Sequence, residues 1–374
     1  MISLPAQSIQ NQRKWALSAV GAFLTFGLVF YAHNLYTTME KPLPHRIYTE
    51  TMQPDKIPAD LPGLVAQLWK PSLHSLNDTH FVSDEGYEYD IPENAHRWTK
   101  PLGKKLLILD VDTRLDLGPG ALLNEDPLRQ NNVTARTGGW LDHYLYAMIH
   151  GYDYRLVRAP EYPDRHGTWV KVPVIKEALK THETVVFLDA DAVFMYPHMP
   201  FEWLMSLWNI TPSTLVAMAE DPNSKGNRDA NGWVMWNTGF IVARQSNRTQ
   251  ELFDTWDKCP SGERYPDCRR WAKDWAHEQA AFSNHVRYDY KDSEDDLRVI
   301  PCMDGNGAPY IGDKKCGGVF VRHHWFHKDW PIRNLRESIL DLFVRRLHGH
   351  FHAKKQDYFI DAYDKNYPLE DVHV

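Results

Sequence analysis

Continuous apolar runs and helical apolar stripes alternate along most of the chain. Runs of strand length occur in KKLLILDVDT from Lys104, YDYRLVRA from Tyr152, VVFLDADAVF from Val185, LVAMAED from Leu215 and GFIVAR from Gly239. Such runs are typical of strands that are buried on both faces of a sheet.

Between these runs, apolar residues recur every three or four positions, which predicts helices. One predicted helix has Thr137 as its N-cap, Gly151 as its C-terminal stop and a core face of Trp140, Leu141, Tyr144, Leu145, Met148 and Ile149. Others include Val172 to Leu179, Trp203 to Trp208, Leu252 to Trp256, and a stripe from Leu335 to Leu347 that we expect to pack on the same domain. Strands that alternate with helices indicate an α/β fold with a mostly parallel sheet.

A different pattern precedes this domain. Residues 15–32 contain no charged side chain, and this length suits a helix that crosses a bilayer. Arg13 and Lys14 precede the run, so the positive-inside rule places the N-terminus in the cytosol. A cleaved signal peptide is the alternative, but bulky Phe30 and Tyr31 occupy the region where a cleavage site would lie.

The domain boundaries follow from these patterns. We predict a cytosolic tail over residues 1–14, a transmembrane signal anchor over 15–36 and a Pro-rich, polar stem over 37–101. The globular domain is predicted over residues 102–345 and a C-terminal tail over 346–374.

Residues beyond the predicted anchor carry features of a lumenal protein. Four glycosylation sequons begin at Asn77, Asn132, Asn209 and Asn247. All four cysteines also lie there, and an even number suits disulfides in an oxidising compartment. Three pairings are open, of which we favour Cys259 with Cys268 and Cys302 with Cys316, because each would close a loop-like stretch.

The composition narrows the class of function. The chain has 374 residues, of which 43% are hydrophobic and 24% charged, as in an ordinary globular protein. Its net charge of −7 argues against a surface that binds nucleic acid through excess positive charge.

The clearest candidate chemistry is an Asp-x-Asp sequence at a strand end. Asp189 and Asp191 follow the apolar run Val185 to Leu188, which places two carboxylates at the carboxyl edge of the sheet, where open α/β folds bind ligands. Two such oxygen donors suit Mn²⁺ or Mg²⁺ bridging a diphosphate. Acidic pairs also cap strands without any ligand, so this signal alone is weak.

The surrounding motifs strengthen it. In order, the chain contains TWVKVPVIKEAL, VVFLDADAVF, Asn237-Thr238-Gly239-Phe240, Glu278-Gln279-Ala280-Ala281-Phe282 and Val321-Arg322-His323-His324. This set resembles glycosyltransferase family 34, the GMA12/MNN10-type galactosyl- and mannosyltransferases, over residues 104–330. The resemblance implies a GT-A nucleotide-sugar transferase fold, a type II Golgi membrane protein and transfer of a hexose with retention of configuration.

The resemblance also implies roles for particular residues. Asp189 and Asp191 match the motif for metal and diphosphate, and His323 matches a histidine that completes the metal shell of Mn²⁺. Because His323 is followed by His324 and Trp325, where the family has a small-residue turn, His324 is an alternative ligand. Lys328 matches a lysine that contacts the donor phosphates.

Four further residues are expected around the transferred sugar. Asn237 and Gly239 match a turn beside the donor and acceptor sugars, and Glu278 with Gln279 matches an acidic-Gln pair that points into the cleft. The leaving diphosphate is expected to help deprotonate the acceptor, while a covalent route through Glu278 stays open. A helix with its polar side in water would explain Glu278 and Gln279 equally well.

The expected partners follow from the same resemblance. The donor is UDP-galactose or GDP-mannose, and the acceptor is a glycan or glycoprotein in the Golgi lumen. The cofactor is Mn²⁺, with Mg²⁺ as the alternative. The chain would be held to the membrane by its single N-terminal helix and would be able to join a glycosyltransferase complex.

Three other readings compete with this one. Asp110 and Asp112, in the strand-end sequence Leu109-Asp110-Val111-Asp112-Thr113, resemble the nucleophile and general acid of haloacid-dehalogenase-type phosphatases. A non-catalytic, membrane-anchored subunit of a glycosyltransferase complex is the second. A glycosidase with paired carboxylates is weaker, because Asp189 and Asp191 are too close in sequence to flank a glycosidic bond unless their side chains diverge.

Overall fold

The structure is a computed structural model that describes residues 60–114, 116–293 and 295–359. The predicted cytosolic tail, the predicted anchor, the stem up to residue 59 and the tail from residue 360 lie outside the described residues. Within the described part of the chain, no helix has both the length and the apolar character needed to cross a membrane.

The described residues form ten strands. They are β1 (His80–Val82), β2 (Glu88–Asp90), β3 (Leu106–Asp112), β4 (Asp153–Arg158), β5 (Thr184–Leu188), β6 (Ala192–Phe194), β7 (Val216–Glu220), β8 (Trp236–Arg244), β9 (Leu297–Ile300) and β10 (Val321–His323).

Ten α-helices accompany them in the same part of the chain. They are α1 (Leu61–Trp69), α2 (Ala135–His150), α3 (Lys171–Ala178), α4 (Phe201–Leu207), α5 (Asn247–Asp257), α6 (His277–Ala281), α7 (Arg287–Asp289), α8 (Cys302–Gly305), α9 (Pro331–Ala353) and α10 (Lys355–Tyr358). A π-helical turn, Phe282–Val286, joins α6 to α7.

Six strands form the central sheet in the order β4-β3-β5-β8-β7-β9. The pairs β3/β4, β3/β5 and β7/β9 are parallel, whereas β8 is antiparallel to both β5 and β7. The predicted α/β fold with a mostly parallel sheet is therefore confirmed. The sheet is mixed because β8 reverses direction, and this places the start of β8 beside the end of β5.

The sheet is covered on both faces. Leu106 and Ile108 of β3 face one apolar cluster, which includes Tyr146, Phe194 and Phe201, because successive side chains of a strand point to opposite sides. Leu107 and Leu109 face a second cluster, which contains residues of α3 and α5 such as Ile175 and Trp256. This double burial explains why the strands read as continuous apolar runs.

Helix α2 differs from the prediction in its cap and in its buried face. It begins after Thr134 rather than Thr137, and the Thr137 hydroxyl instead accepts a hydrogen bond from the Leu122 amide at 2.8 Å. Gly151 ends the helix in the left-handed region, with φ of 71°, as predicted. Tyr144 is exposed, because the helix turns His143, Tyr146 and Ala147 toward the sheet.

The last part of the segment predicted as a stem is folded in the structure. Helix α1 packs on α2, and β1 pairs with β2 as an antiparallel hairpin whose Phe81 enters the first apolar cluster. Trp98 also reaches this cluster and donates its indole N–H to the carbonyl of Ile210 at 2.6 Å. The segment was predicted as a stem because it is rich in Pro and polar residues, but its aromatic side chains pack on the core.

Both favoured disulfides are confirmed, Cys259 with Cys268 and Cys302 with Cys316. The C-terminal stripe is not buried as expected. Of helix α9, Pro331, Leu335 and Leu342 are buried, whereas Leu340, Phe343, Val344 and Leu347 are exposed. One face of α9 packs on α2, and the stripe extends around the helix beyond that contact.

Candidate active site

The Asp189-Ala190-Asp191 sequence forms a tight turn directly after β5. The amide of Asp189 donates to the carbonyl of Gly239 at 2.8 Å, which extends the β5/β8 pairing by one bond. The amide of Ala192 then donates to the carbonyl of Asp189 at 2.8 Å and closes the turn. The two carboxylates are thereby held at the carboxyl edge of the sheet, as predicted.

A short antiparallel pair brings His323 to this turn. Strand β10 pairs with β6 so that His323 lies opposite Ala192, the residue after Asp191. The Nε2 atom of His323 lies 3.3 Å from Oδ1 of Asp191. One ligand atom from each of Asp189, Asp191 and His323 fits within a group whose members are all within 4.8 Å of one another.

This donor set fits a divalent cation. Carboxylate oxygens suit Mg²⁺ and Mn²⁺, and a neutral imidazole is an ordinary ligand of the transition metals. His323 and Asp191 are both buried, so their positions are fixed by packing rather than by solvent-exposed rotamers. Among the described residues these are the only three acidic, His or Cys side chains that meet in this way.

Charge around Asp191 favours its ionised form. Burial alone would raise the pKa of Asp191, but His323 and Lys328 outweigh it and hold that pKa well below its ordinary range. The ammonium of Lys328 donates to Oδ2 of Asp191 at 2.8 Å and is itself largely exposed. Asp191 is therefore an anion at neutral pH, as a metal ligand must be.

His324, the alternative ligand, faces the other way. Its backbone amide donates to the carbonyl of Asp191 at 2.7 Å, but its ring is fully buried between Tyr310 and Asn334. Burial lowers the pKa of His324 to about 4. Consecutive residues of a strand point to opposite sides, so only His323 can reach the carboxylates.

Lys171 is a charged residue at the site to which the sequence analysis gave no role. Its ammonium, on the first turn of α3, donates to Oδ1 of Asp189 at 2.8 Å and to the carbonyl of Thr238 at 3.1 Å. Burial opposes its charge, but Asp189 and Glu278 raise the pKa of Lys171. The sequence does contain a sign that Lys171 is buried. It lies at helical spacing from Ile175 and Ala178, on the apolar side of α3.

Glu278 does not point into the cleft as the resemblance implied. It is 3% exposed, accepts the hydroxyl of Thr238 at 2.9 Å and the hydroxyl of Thr168, and lies 3.4 Å from the ammonium of Lys171. Both carboxylate oxygens are occupied by these neighbours. Glu278 thus lies behind Lys171, and the structure does not place it where it could attack a sugar.

Asn237 and Gln279 meet at a third acidic residue, Asp221. The amide nitrogens of Asn237 and Gln279 donate to the two oxygens of Asp221 at 2.8 and 2.6 Å. Burial raises the pKa of Asp221. Asp221 follows the apolar run of β7, which is the same strand-end signal that identified Asp189, but Asp221 was not among the predicted site residues.

Asn306 connects this group to the metal cluster. Its side-chain nitrogen lies 3.4 Å from Oδ1 of Asp221, and its side-chain oxygen lies 3.2 Å from Nδ1 of His323. A metal-ligating histidine commonly uses its second ring nitrogen in such an outer contact, which fixes the ring orientation. Asn237 and Gln279 accordingly lie in the layer that supports the cluster.

An open cleft of about 500 Å³ lies beside the two carboxylates. Asp189, Asp191, Lys171 and Lys328 line it. Residues at the end of β3 and the start of α2 also line it, including Asp112, Arg114 and Arg136. Arg114 binds Asp112 through two bonds of 2.8 Å, so the cleft also presents a guanidinium together with a carboxylate.

The phosphatase reading is not supported by the position of Asp110. Asp110 is fully buried, and its two oxygens contact Nδ1 of His143 and the hydroxyl of Tyr154, each at 2.8 Å. A nucleophile needs access to its substrate, and Asp110 has none. Asp112 does reach the cleft but is bound to Arg114.

Comparisons with known proteins agree with this site. Residues 163–328 match the family model described as nucleotide-diphospho-sugar transferase, and this range contains Asp189, Asp191, His323 and Lys328. Glycosyltransferase 6 of Arabidopsis thaliana is 24% identical over 271 residues, which is 67% of this chain and 54% of that protein. Galactomannan galactosyltransferase 1 of Cyamopsis tetragonoloba is 27% identical over 131 residues, 34% of this chain and 28% of that protein.

This chain thus spans about half the length of the first relative and about a quarter of the second. Among solved structures, a glycosyltransferase involved in glycosylation of the major capsid of PBCV-1 aligns at 12% identity and a TM-score of 0.45. That alignment covers 62% of this chain and 98% of that one. The sequence matches support a glycosyltransferase of the nucleotide-diphospho-sugar type.

Proposed function

We propose that the chain is a metal-dependent hexosyltransferase of glycosyltransferase family 34, which moves galactose or mannose from a nucleotide sugar to a glycan with retention of configuration. The observation that carries the proposal is the meeting of Asp189, Asp191 and His323 at the edge of an open cleft. The match of residues 163–328 to nucleotide-diphospho-sugar transferases supports it.

The three ligands would hold Mn²⁺, with Mg²⁺ as the alternative. When bound, this ion would neutralise charge on the diphosphate of the donor. Lys328 is the residue best placed to add a second positive charge, because its ammonium is exposed and already within 2.8 Å of Asp191. Asp189 is about one-third exposed, and its carboxylate faces the cleft where the donor sugar or ribose would lie.

The buried position of Glu278 favours a reaction without a covalent sugar-enzyme intermediate. In the proposed reaction, the acceptor oxygen forms its bond to the anomeric carbon on the face from which the diphosphate leaves. The acceptor proton passes to an oxygen of that diphosphate, so no strong protein base is required. The chain contributes positioning and positive charge.

The identity of the donor sugar is tested with three nucleotide sugars. One relative is named a galactosyltransferase, and another, Xyloglucan 6-xylosyltransferase 1 of Arabidopsis thaliana, is named for transfer of xylose. UDP-galactose and GDP-mannose are the two donors that we propose, and UDP-xylose is a necessary third test substrate.

We also propose that the chain is a single-pass type II protein of the Golgi membrane that acts on glycans or glycoproteins in the lumen, in some cases within a glycosyltransferase complex. The uncharged run of residues 15–32 supports the membrane anchor, and the two disulfides support an oxidising compartment. Protease protection of the full chain, tagged at both ends in microsomes, should leave only the C-terminal tag protected. Protection of the N-terminal tag instead would contradict this orientation.

The test of function is nucleotide binding by the full chain in detergent, measured by calorimetry with UDP and GDP, with and without Mn²⁺. We expect one nucleotide to bind only in the presence of Mn²⁺. Asp191→Asn and His323→Ala should each abolish this binding. Asp126→Asn, at an exposed carboxylate, is the matched control.

Hydrolysis and transfer are then measured with the three nucleotide sugars. Folded protein that binds neither nucleotide would contradict the proposed function. Binding without turnover of any donor would instead favour the non-catalytic subunit.

A further inference from the structure

The strand-end motif Leu109-Asp110-Val111-Asp112 is not explained by the proposed function, and its first acidic residue is fully buried. One oxygen of Asp110 contacts Nδ1 of His143, which lies on the face of α2 that packs on the sheet. The Nε2 atom of that same ring lies 2.6 Å from the carbonyl oxygen of Ala192. A buried carboxylate is thereby connected through one imidazole to the residue that follows Asp191.

Helix α2 contacts the peptide on each side of Asp191. On one side, Gly139 lies so close to Ala190 that an added Cβ would come within 1.9 Å of the Ala190 carbonyl oxygen. On the other side, His143 reaches Ala192, and Asp142 accepts the amide of Phe194 at 3.0 Å. Three successive contacts therefore fix the segment from Ala190 to Phe194 against the helix.

We propose that Asp110 and His143 are positioning residues, which hold the Ala190–Phe194 segment so that Asp191 is oriented toward the metal and donor. This inference rests on the proposed function. Neither residue lines the cleft or contacts the three ligands. Their action is through the backbone of Ala192.

The hydrogen-bond requirements explain why an Asp-His pair suits this place. A carbonyl oxygen can only accept, so Nε2 of His143 must carry the hydrogen that it donates to Ala192. The contact from Asp110 to Nδ1 fixes the ring in the orientation that allows this bond. Burial lowers the pKa of His143, but Asp110 outweighs that effect and raises it to about 9, which keeps both ring nitrogens protonated as donors.

The hydroxyl of Tyr154 holds the second oxygen of Asp110 from the neighbouring strand β4. The carboxylate of Asp110 is thus held by α2 through His143 and by β4 through Tyr154. Metal sites commonly depend on such outer partners, whose loss weakens metal affinity by about 10- to 100-fold.

The test compares three variants of the full chain. His143→Phe removes both ring bonds and keeps an aromatic ring in the same space. Asp110→Asn is the conservative variant, because its amide N–H can donate to Nδ1 while Nε2 still donates to Ala192. His150→Phe is the matched control, since half-buried His150 on the same helix also bonds a carbonyl, that of Pro197 at 2.8 Å.

The first measurement is amide hydrogen exchange of residues 189–194, which does not require metal or substrate. We expect faster exchange in His143→Phe than in the parent, and exchange close to the parent in Asp110→Asn and His150→Phe. If His143→Phe fails to fold because it leaves a buried carboxylate unpaired, the double variant Asp110→Asn/His143→Phe is measured in its place. Unchanged exchange in folded His143→Phe would overturn the proposal.

The second measurement is Mn²⁺ affinity by electron paramagnetic resonance. We expect a loss of about 10- to 100-fold for His143→Phe and little change for the other two variants. An equal loss in His150→Phe would show a general effect of destabilising α2 and overturn the positioning role. If the parent chain itself binds no Mn²⁺, the proposed function fails, while the exchange result still decides whether His143 holds the turn.

Discussion

Gly239 lies against the imidazole of His323, with no space for a side chain between them. A Cβ at position 239 would come 2.2 Å from Cε1 and 2.8 Å from Nδ1 of His323. The resemblance assigns Gly239 to a turn beside the donor sugar. The structure gives a different reason for glycine at this position, because it allows β8 to pass directly beneath the ring of the candidate metal ligand.

Gly239→Ala should therefore displace His323 and weaken the metal site. We expect the affinity for Mn²⁺ to fall by about tenfold or more, as when an outer contact of a metal ligand is lost. Calorimetric titration with Mn²⁺ measures this. Gly226→Ala is the control, since a Cβ there meets no atom within 4 Å. A folded Gly239→Ala protein with unchanged affinity would exclude His323 as a ligand.

Lys328→Ala separates the binding of the diphosphate from the binding of the metal. The lysine is exposed and bonded to Asp191, so its loss should weaken nucleotide binding about tenfold in the presence of Mn²⁺, the effect of one charge-assisted bond. Mn²⁺ affinity without nucleotide should not fall, because the variant removes a positive charge beside the site. Lys225→Ala, at an exposed lysine, is the control. A loss of Mn²⁺ affinity would place Lys328 among the residues that build the metal site.

Lys171→Met tests the buried charge cluster behind the turn. It leaves Glu278 buried without its cation, and this should lower the free energy of unfolding by roughly 3 kcal/mol. The double variant Lys171→Met/Glu278→Gln should recover part of the loss. Urea unfolding measures both.

The control for this variant lies on the same helix. Lys176→Met removes a partly exposed ion pair with Asp254, so we expect a cost of less than about 1 kcal/mol. Equal effects of the two substitutions would contradict the interpretation that burial makes the Lys171 cluster important.

The buried carboxyl of Asp304 predicts a dependence of stability on pH. Burial raises the pKa of Asp304 to about 6 in the folded chain, from 3.8 as the ordinary value, although Trp208 donates to it at 3.0 Å. Between pH 3.8 and about pH 6, the folded state then binds more protons than the unfolded state. The contribution of Asp304 to stability is present at low pH and is lost as the pH rises from about 4 to about 6.

Asp304→Asn removes this titration. Between pH 4 and pH 7 the stability of the variant relative to the parent should rise by on the order of 3 kcal/mol. Urea unfolding at four pH values measures the difference, with Glu125→Gln at an exposed carboxylate as the control. Parallel pH profiles for Asp304→Asn and the parent would contradict a raised pKa of Asp304.

Local features of the sequence were sufficient for much of the fold. The apolar runs identified the strands of the central sheet apart from β9, and the helix between Thr134 and Gly151 was found with its cap and part of its buried face displaced. Asp189 and Asp191 were placed correctly at the end of β5, because a strand that is buried on both faces ends where polar residues begin. Of the three possible cysteine pairings, the one favoured for its loop-like stretches is the one in the structure.

The arrangement around the turn was decided by tertiary structure. Whether β8 runs parallel or antiparallel to β5 depends on a connection and on pairing between distant residues, and neither leaves a local pattern. That direction sets Asn237 against Asp221 and Gly239 beneath His323. For the same reason Glu278 is buried behind Lys171, where a helical wheel allowed either the cleft or the solvent.

The sequence by itself therefore determined most strands of the central sheet, the acidic turn and the class of fold, because burial and backbone geometry act between neighbouring residues. Only the tertiary structure decided which of His323 and His324 meets the carboxylates, and that Asp110 holds His143 rather than a substrate. These choices depend on contacts between residues 33 to 132 positions apart in the chain, which local patterns do not encode.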